Sequence, residues 1–190
     1  MGARALAVAL VLSVAAGAAS ADTFRPIKHG TFSFDLDTAD GAFSVWKLDD
    51  VSDIDALRAR ITFLRKGKGE YAPTMTLAIL AGEQRAVLQF LAFPKSGPLV
   101  GYVYDKAGSK GPASQLVLTP PDFKEPFDVV VRWTPEGKVS FDIFTAANKK
   151  VSQGFEHHEL ALGAAVTGVQ ISNSTGEVEF GKLELGNMAP

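Results

Sequence analysis

Short runs in which apolar and polar residues alternate recur along most of this chain, and they restrict its fold more than any other feature. In residues 127–134 the apolar Val129, Val131 and Trp133 occupy every second position, and residues 138–144 repeat the pattern after a Pro-Glu-Gly turn. A period of two places successive side chains on opposite faces of a strand. Two such runs joined by a short turn predict a β-hairpin. About ten runs of this kind predict an all-β chain folded as a two-sheet antiparallel β-sandwich.

The other predicted strands are separated by turn residues. They cover residues 32–36, 43–48, 58–64, 75–79, 88–90, 99–105, 168–172 and 177–185. In the last run the apolar phase shifts at Gly181, which predicts a β-bulge. At most one or two short helices are expected, one opening at Ser52 in a sequence typical of a capping box and one within residues 155–165.

The first 21 residues have the layout of a cleavable secretory signal. Arg4 precedes an apolar run over residues 5–16, and the segment ends in the small residues Ala19, Ser20 and Ala21. The run is shorter than the roughly 20 residues of a membrane span. We therefore expect cleavage after Ala21, a secreted or periplasmic protein, and a single domain over residues 22–190.

Composition excludes several classes of function. The chain has no cysteine, so disulfides, thiolate metal sites and cysteine nucleophiles are excluded. The signal carries one of the 19 basic residues and none of the 21 acidic ones, which leaves the predicted mature chain a net charge of −3. Basic residues are scattered, so a nucleic-acid partner is not expected. No later segment is apolar enough for a membrane span, and the oligomeric state stays open.

The C-terminal third resembles the closing strands of the concanavalin A-like lectin/glucanase superfamily. The resemblance rests on FDVVVRWTPEGKVSFDIF (residues 127–144) and VTGVQISNSTGEVEFGKLELG (residues 166–186). It implies a curved jelly-roll sandwich in which the concave sheet often binds glycans. Members of this superfamily also include glycosidases, polysaccharide lyases and protein-binding modules.

Two carboxylate pairs could serve a glycan-degrading enzyme. Glu177 and Glu179 share one strand face, and Asp35 and Asp37 share another. Glycosidases need two carboxylates roughly 5–9.5 Å apart. The Glu-x-Asp-x-(x)-Glu motif of the superfamily's glucanases and the Tyr/His/Arg/Gln set of its lyases are both absent. We interpret these carboxylates as solvated strand faces, because charged residues are mostly exposed.

Metal sites are weakly indicated. Asp35, Asp37 and Asp40 cluster before Gly41, and calcium prefers such oxygen ligands. A turn in which aspartate caps its own backbone explains the same residues. His157 and His158 look like a zinc motif but face opposite ways on a strand. No cofactor is therefore expected, with calcium as the open alternative.

One sequence motif could mark a covalent modification. The Asn173-Ser174-Thr175 sequence matches an N-glycosylation acceptor. We interpret it as a turn, because the alanine-rich signal is typical of bacteria.

Aromatic residues give the candidate ligand site. Sugars stack their apolar faces on exposed rings, and the candidates are Trp46, Tyr71, Tyr102 and Tyr104. Tyr102 and Tyr104 share one face of one predicted strand. The alternative interpretation is that they cover the edge of the core with their hydroxyls in water.

These observations favour an exported, non-catalytic binding module for a glycan or an extracytoplasmic surface. Two alternatives stay open: a glycan-degrading enzyme with an unrecognised carboxylate pair, and a structural or protein-binding sandwich with no small-molecule site.

Overall fold

The computed structural model describes residues 24–66, 74–92, 99–105, 115–117, 124–145 and 154–188. These ranges contain twelve strands and no helix. In chain order they are β1 Phe24–Thr38, β2 Ser44–Leu48, β3 Ala56–Arg65, β4 Thr74–Ala81, β5 Gln84–Ala92, β6 Leu99–Asp105, β7 Gln115–Val117, β8 Phe127–Trp133, β9 Lys138–Thr145, β10 Gly154–Ala161, β11 Gly168–Asn173 and β12 Gly176–Met188.

The strands form two six-stranded sheets. Sheet A has the order β1-β12-β3-β8-β9-β10, and sheet B has the order β2-β11-β4-β5-β6-β7. Every neighbouring pair is antiparallel. The predicted all-β, two-sheet antiparallel sandwich is therefore confirmed.

One apolar core lies between the sheets. Alternate residues of each central strand enter it, as in β8, where Phe127, Val129, Val131 and Trp133 are buried and the residues between them are half-buried. The largest fully buried side chains come from both sheets: Leu57, Ile61, Phe63, Phe127, Phe141, Ile143 and Phe180 from sheet A, and Met75, Leu77, Ile79, Leu88 and Phe90 from sheet B. This burial fixes which face of each strand points outward.

The hairpin of β8 and β9 follows the prediction. Trp133 lies opposite Val139, and Gly137 in the turn has a φ of 79°. A Cβ at Gly137 would lie 1.9 Å from the carbonyl oxygen of Ala164, so both backbone conformation and space require glycine there. Trp133 is buried, as predicted for a core residue, and its indole N–H donates to the carbonyl of Ile54 over 3.0 Å.

Two local predictions were wrong and one is confirmed. The helix expected within residues 155–165 is the edge strand β10, because the ladder with β9 satisfies its backbone groups. The helix expected at Ser52 is a turn, in which the Ser52 N–H donates to Asp50 over 3.0 Å and thereby lowers the pKa of the Asp50 carboxyl. The bulge predicted at Gly181 appears as a register shift between Phe180 and Lys182.

A buried amide ties the two sheets together at one end. Asn173 ends β11 in sheet B and is fully buried. Its Nδ2 donates to the carbonyl oxygens of Leu36 and Gly176, at 3.1 and 3.0 Å, and to the hydroxyl of Thr38 at 3.2 Å. All three acceptors belong to sheet A, so this side chain links β11 to both β1 and β12.

The described residues contain no helix of the length and apolarity that a membrane crossing requires. The predicted signal, with its cleavage after Ala21, lies outside the described residues and stays a prediction.

We predict that Asn173→Ala lowers the free energy of unfolding by about 2–4 kcal/mol, because two buried carbonyls lose their donor. Urea unfolding followed by intrinsic fluorescence measures this change. Asn187→Ala is the matched control, since its amide donates to the Asp53 carbonyl in an exposed position. A loss at Asn173 no larger than at Asn187 would contradict the role assigned to this amide.

Candidate functional site

The outer face of sheet B consists of the residues that alternate with its core residues. In β4 and β5 these include Thr76, Ala78, Val87 and Gln89, and in β11 they include Gln170 and Ser172. In β6 the buried Val103 lies opposite the core residue Leu88. The strand positions of Tyr102 and Tyr104, on either side of Val103, therefore belong to the outer face.

Cross-strand register brings the two tyrosine positions beside particular neighbours. Tyr102 lies opposite Gln89, and Tyr104 lies opposite Val87. Gln89 in turn lies opposite Thr76, whose hydroxyl accepts a hydrogen bond from its Nε2 over 3.4 Å. Thr76 and Gln89 are half-buried and hold each other in place.

Three smaller side chains on this face are buried: Ala78, Val87 and Ser172. Ala78 and Val87 do not belong to the core cluster between the sheets, which agrees with their outward strand positions. Contacts with a ligand would therefore fall first on the half-buried Thr76 and Gln89 and on the tyrosine positions.

The outer face of sheet B is almost without charge. Among the described outward positions of β4, β5, β6 and β11, Arg85 at the start of β5 is the one charged residue. Lys47 on the neighbouring edge strand β2 forms an ion pair with Asp49. The face therefore offers hydroxyls, amides and aromatic positions in preference to ionic groups.

Trp46 lies elsewhere. It occupies an inward position of β2, where it stacks on Phe34 at a ring distance of 5.7 Å, and Phe34 stacks on Phe180 at 5.0 Å. Phe32 also packs against the indole, with ring centroids 5.9 Å apart and the ring planes tilted by 58°. This aromatic stack covers the gap between the edge strands β1 and β2. The structure therefore does not bring Trp46 to the tyrosine positions, and Tyr71 lies outside the described residues.

The outer face of sheet A is strongly charged, and its charges are largely paired. Arg60 binds both carboxylate oxygens of Asp128, at 2.8 and 2.9 Å, which raises the pKa of the Arg60 guanidinium. Glu184, itself buried, lies 2.9 Å from Lys182 and 3.5 Å from Arg58. A ligand on this face would have to displace or desolvate these pairs.

A buried carboxylate, that of Asp142, lies on β9 of the same sheet, beside the edge strand β10. Asp142 is 2% exposed. Its Oδ2 lies 2.6 Å from Nη2 of Arg132, and the two groups form an ion pair whose geometry is not that of a hydrogen bond. Its other oxygen lies 2.5 Å from Nδ1 of His157. His157 is exposed and His158 is buried, so the two histidines face opposite ways, as predicted for a strand.

The two predicted carboxylate pairs meet on sheet A. Asp35 and Asp37 of β1 lie opposite Glu179 and Glu177 of β12. Arg65 forms ion pairs with Asp37 and with Glu177, the latter over 3.7 Å. These four carboxylates lie on the sheet opposite to that of the tyrosine positions.

Asp40 is held apart from this group, since its carboxylate accepts a hydrogen bond of 2.8 Å from the Thr175 hydroxyl. Within the described ranges, no group of three or more His, Cys, Asp or Glu residues could hold a metal ion. Calcium binding by Asp35, Asp37 and Asp40 stays a prediction from sequence alone.

The acceptor motif at Asn173 behaves as a turn. The amide nitrogen that a glycan would have to occupy is buried and donates to Leu36, Thr38 and Gly176. In the folded protein this nitrogen is therefore closed to glycosylation.

Sequence reasoning missed Thr76 and Gln89. Alternation places both outward on their strands, but their position beside Tyr102 depends on the order β4-β5-β6 in the sheet. The predicted hairpin between residues 75–79 and 88–90 was the available signal, because it makes Gln89 the neighbour of Thr76.

No protein-family model matches the sequence, and no curated protein matches it. Solved structures, in contrast, align with the fold of this chain. A legume lectin-like domain from Entamoeba histolytica aligns with a TM-score of 0.50 at 10% identity, covering 88% of this chain and 91% of that one. Lectin II from Ulex europaeus aligns with a TM-score of 0.50 at 9% identity, covering 87% of this chain and 95% of the lectin. Scytalido-glutamic peptidase, in complex with a transition state analog inhibitor, aligns with a TM-score of 0.48 at 13% identity, covering 72% of this chain and 66% of the peptidase.

At such low identity the lectin likenesses show the fold alone. The chain has the jelly-roll β-sandwich of these lectins, in agreement with the fold that the C-terminal sequence resemblance implied. The resemblance of the C-terminal third at the level of sequence has no matching family model.

The ion pairs of sheet A allow a titration test. The hydrogen bond and charge of Lys138, whose Nζ lies 2.9 Å from Glu159, hold the pKa of the Glu159 carboxyl below its ordinary value. We predict that Lys138→Gln raises this pKa towards the ordinary value, as measured by NMR titration of the side-chain carboxyl. A lowered carboxyl pKa stabilises the fold above the unfolded-state pKa, and this contribution is lost as the pH falls through the folded-state pKa.

The pKa of Asp50, which is lowered by Ser52 and not by Lys138, is the internal control. An unchanged Glu159 pKa in the Lys138→Gln variant would show that this pair does not form in solution.

Proposed function

We propose that this protein is an exported, non-catalytic glycan-binding module whose ligand lies on the outer face of sheet B. One observation carries the proposal. The register of β4, β5 and β6 places two tyrosine positions beside an amide and a hydroxyl on a face that is almost without charge.

This combination suits the chemistry of a sugar. A pyranose ring has apolar C–H faces that pack on aromatic rings and an equatorial rim of hydroxyls that donate and accept hydrogen bonds. Tyrosine supplies an apolar ring with a polar tip, and the glutamine amide both donates and accepts. Gln89 and Thr76 already bond to each other over 3.4 Å, which favours one orientation of the two side chains before a ligand binds.

The fold supports the same proposal by analogy. The structures that share the sandwich include a legume lectin-like domain and a plant lectin. Since one fold hosts many functions, the weight of the argument rests on the face itself.

Export to the periplasm or the cell exterior is part of the proposal. It rests on the signal layout of residues 1–21. The chain has no cysteine, so its stability outside the cell does not come from disulfides. A large apolar core supplies that stability instead.

Contact with a protein is the second candidate, and a specific observation favours it. Phe43 and Val45, at the edge strand β2, are 63% and 50% exposed, and Phe32 nearby is 36% exposed. Exposed apolar groups of this kind often mark protein contacts.

The test is a glycan-array screen of residues 22–190, followed by calorimetry with the best ligand. We predict saturable binding that falls at least roughly tenfold in the Tyr102→Ala/Tyr104→Ala variant, because each lost ring removes stacking worth about 1 kcal/mol. Circular dichroism and thermal unfolding establish that the variant is folded.

Phe32→Ala is the matched control, since it removes an exposed aromatic ring from β1 of sheet A, on the other sheet of the sandwich. Its glycan affinity should stay within about twofold of the wild type. Absence of binding to every glycan would overturn the proposal and favour the protein-contact alternative.

A further inference from the structure

We infer that the ligand of this face is a neutral, linear oligosaccharide that runs across the strands, and this inference rests on the proposed glycan-binding function. It concerns a polar track formed by Ser172, Thr76, Gln89 and Tyr102, in that spatial order.

The track follows directly from the register. Ser172 lies opposite Thr76, Thr76 opposite Gln89, and Gln89 opposite Tyr102. Each of four neighbouring strands thus contributes one residue whose side chain can hydrogen-bond, and the four residues form a single row perpendicular to the strands. On one side of the track the next outward residues of β4 and β5 are Ala78 and Val87, which are apolar.

Apolar residues border the Gln89 position of the track on both sides, whereas Thr74 and Gln170 are polar neighbours of Thr76 and Ser172. Ala78 and Val87 form the centre of the next row on one side, and both are buried. Leu91, which is half-buried, is the outward neighbour of Gln89 on the other side. A sugar chain has the same division, since its hydroxyl groups recur along the chain and its ring faces are apolar. Because Ala78 and Val87 are buried, Leu91 is the bordering apolar residue that a sugar ring would contact, while the sugar hydroxyls would meet the polar groups of the track.

Charge decides between neutral and acidic sugars. No charged residue lies in the track. Arg85 lies two outward positions from Gln89 along β5, and Lys47 of β2 lies opposite Gln170, one row off the track, in an ion pair with Asp49. A uronate or sulfate held over the track would lose water without gaining a cation, which is strongly unfavourable. The cations of sheet A lie on the opposite face of the sandwich and are engaged in ion pairs.

The track also sets a length. Ser172, at one end of the track, is buried, so the positions open to a ligand are Thr76, Gln89 and Tyr102, on three neighbouring strands spaced by roughly 4.8 Å. A pyranose repeat is close to one strand spacing, so about three sugar units span the track.

The experiment measures affinity by calorimetry for two matched sets of probes. The first contains neutral linear gluco-, manno- and galacto-oligosaccharides of two to six units, and the second contains oligouronates of the same lengths. We expect a neutral series to bind, with affinity rising from two units to three and levelling off near four. Oligouronates should bind at least tenfold more weakly.

Two single variants locate the ligand on the track. Gln89→Ala should weaken binding of the neutral trisaccharide roughly tenfold, the effect of one lost hydrogen bond from a pre-set donor. Gln170→Ala is the matched control, because Gln170 is a half-buried glutamine on the same face but lies one row off the track, opposite Ala78. Its effect should stay below about twofold.

The outcomes separate this inference from the function on which it rests. Equal or tighter binding of oligouronates would overturn the neutral class while leaving glycan binding intact. Equal losses in the Gln89→Ala and Gln170→Ala variants, or affinity that keeps rising to six units, would overturn the track. Absence of binding by both probe sets and by the glycan array would overturn the proposed function itself.

Discussion

The packing of two sheets on one apolar core is the constraint on which the rest of the structure depends. Each central strand must direct alternate residues inward, so its register fixes every residue on the outer face as well. A slip of one residue in β5 would exchange Leu88 and Phe90 for Gln89 and bury an amide in the core. The composition of the outer faces therefore follows from the core, and selection for function can act only on residues that the core leaves outward.

The two outer faces of the sandwich differ in the kinds of side chain that they carry. On sheet A, charged residues pair across strands, and even the buried Asp142 lies between Arg132 and His157. On such a surface most of the named charged groups already have a partner of opposite charge. On sheet B most outward residues carry hydroxyl, amide, phenol or apolar side chains, with Arg85 and Lys47 as the charged residues among the described positions. Because an uncharged ligand can bind there without separating ion pairs, the proposed function belongs to sheet B.

Local alternation predicted much of the fold. The β8–β9 hairpin, the strand over residues 99–105 and the bulge at Gly181 follow from period and turn chemistry alone. Alternation could not show which strands become neighbours, because pairing is a property of the whole sheet. It therefore grouped Trp46 with Tyr102 and Tyr104, although Trp46 packs inward on Phe34, and it left Gln89 unnoticed. The helix expected at residues 155–165 failed for the same reason, since β10 is defined by its ladder with β9.

The most direct test of the central claim is NMR mapping of backbone amides in residues 22–190 during titration with neutral linear oligosaccharides. The account predicts saturable shift changes concentrated in β4, β5, β6 and β11, centred on Thr76, Gln89 and Tyr102, with sheet A unaffected. Shift changes concentrated on the charged face of sheet A, around Asp142 and His157, would contradict it.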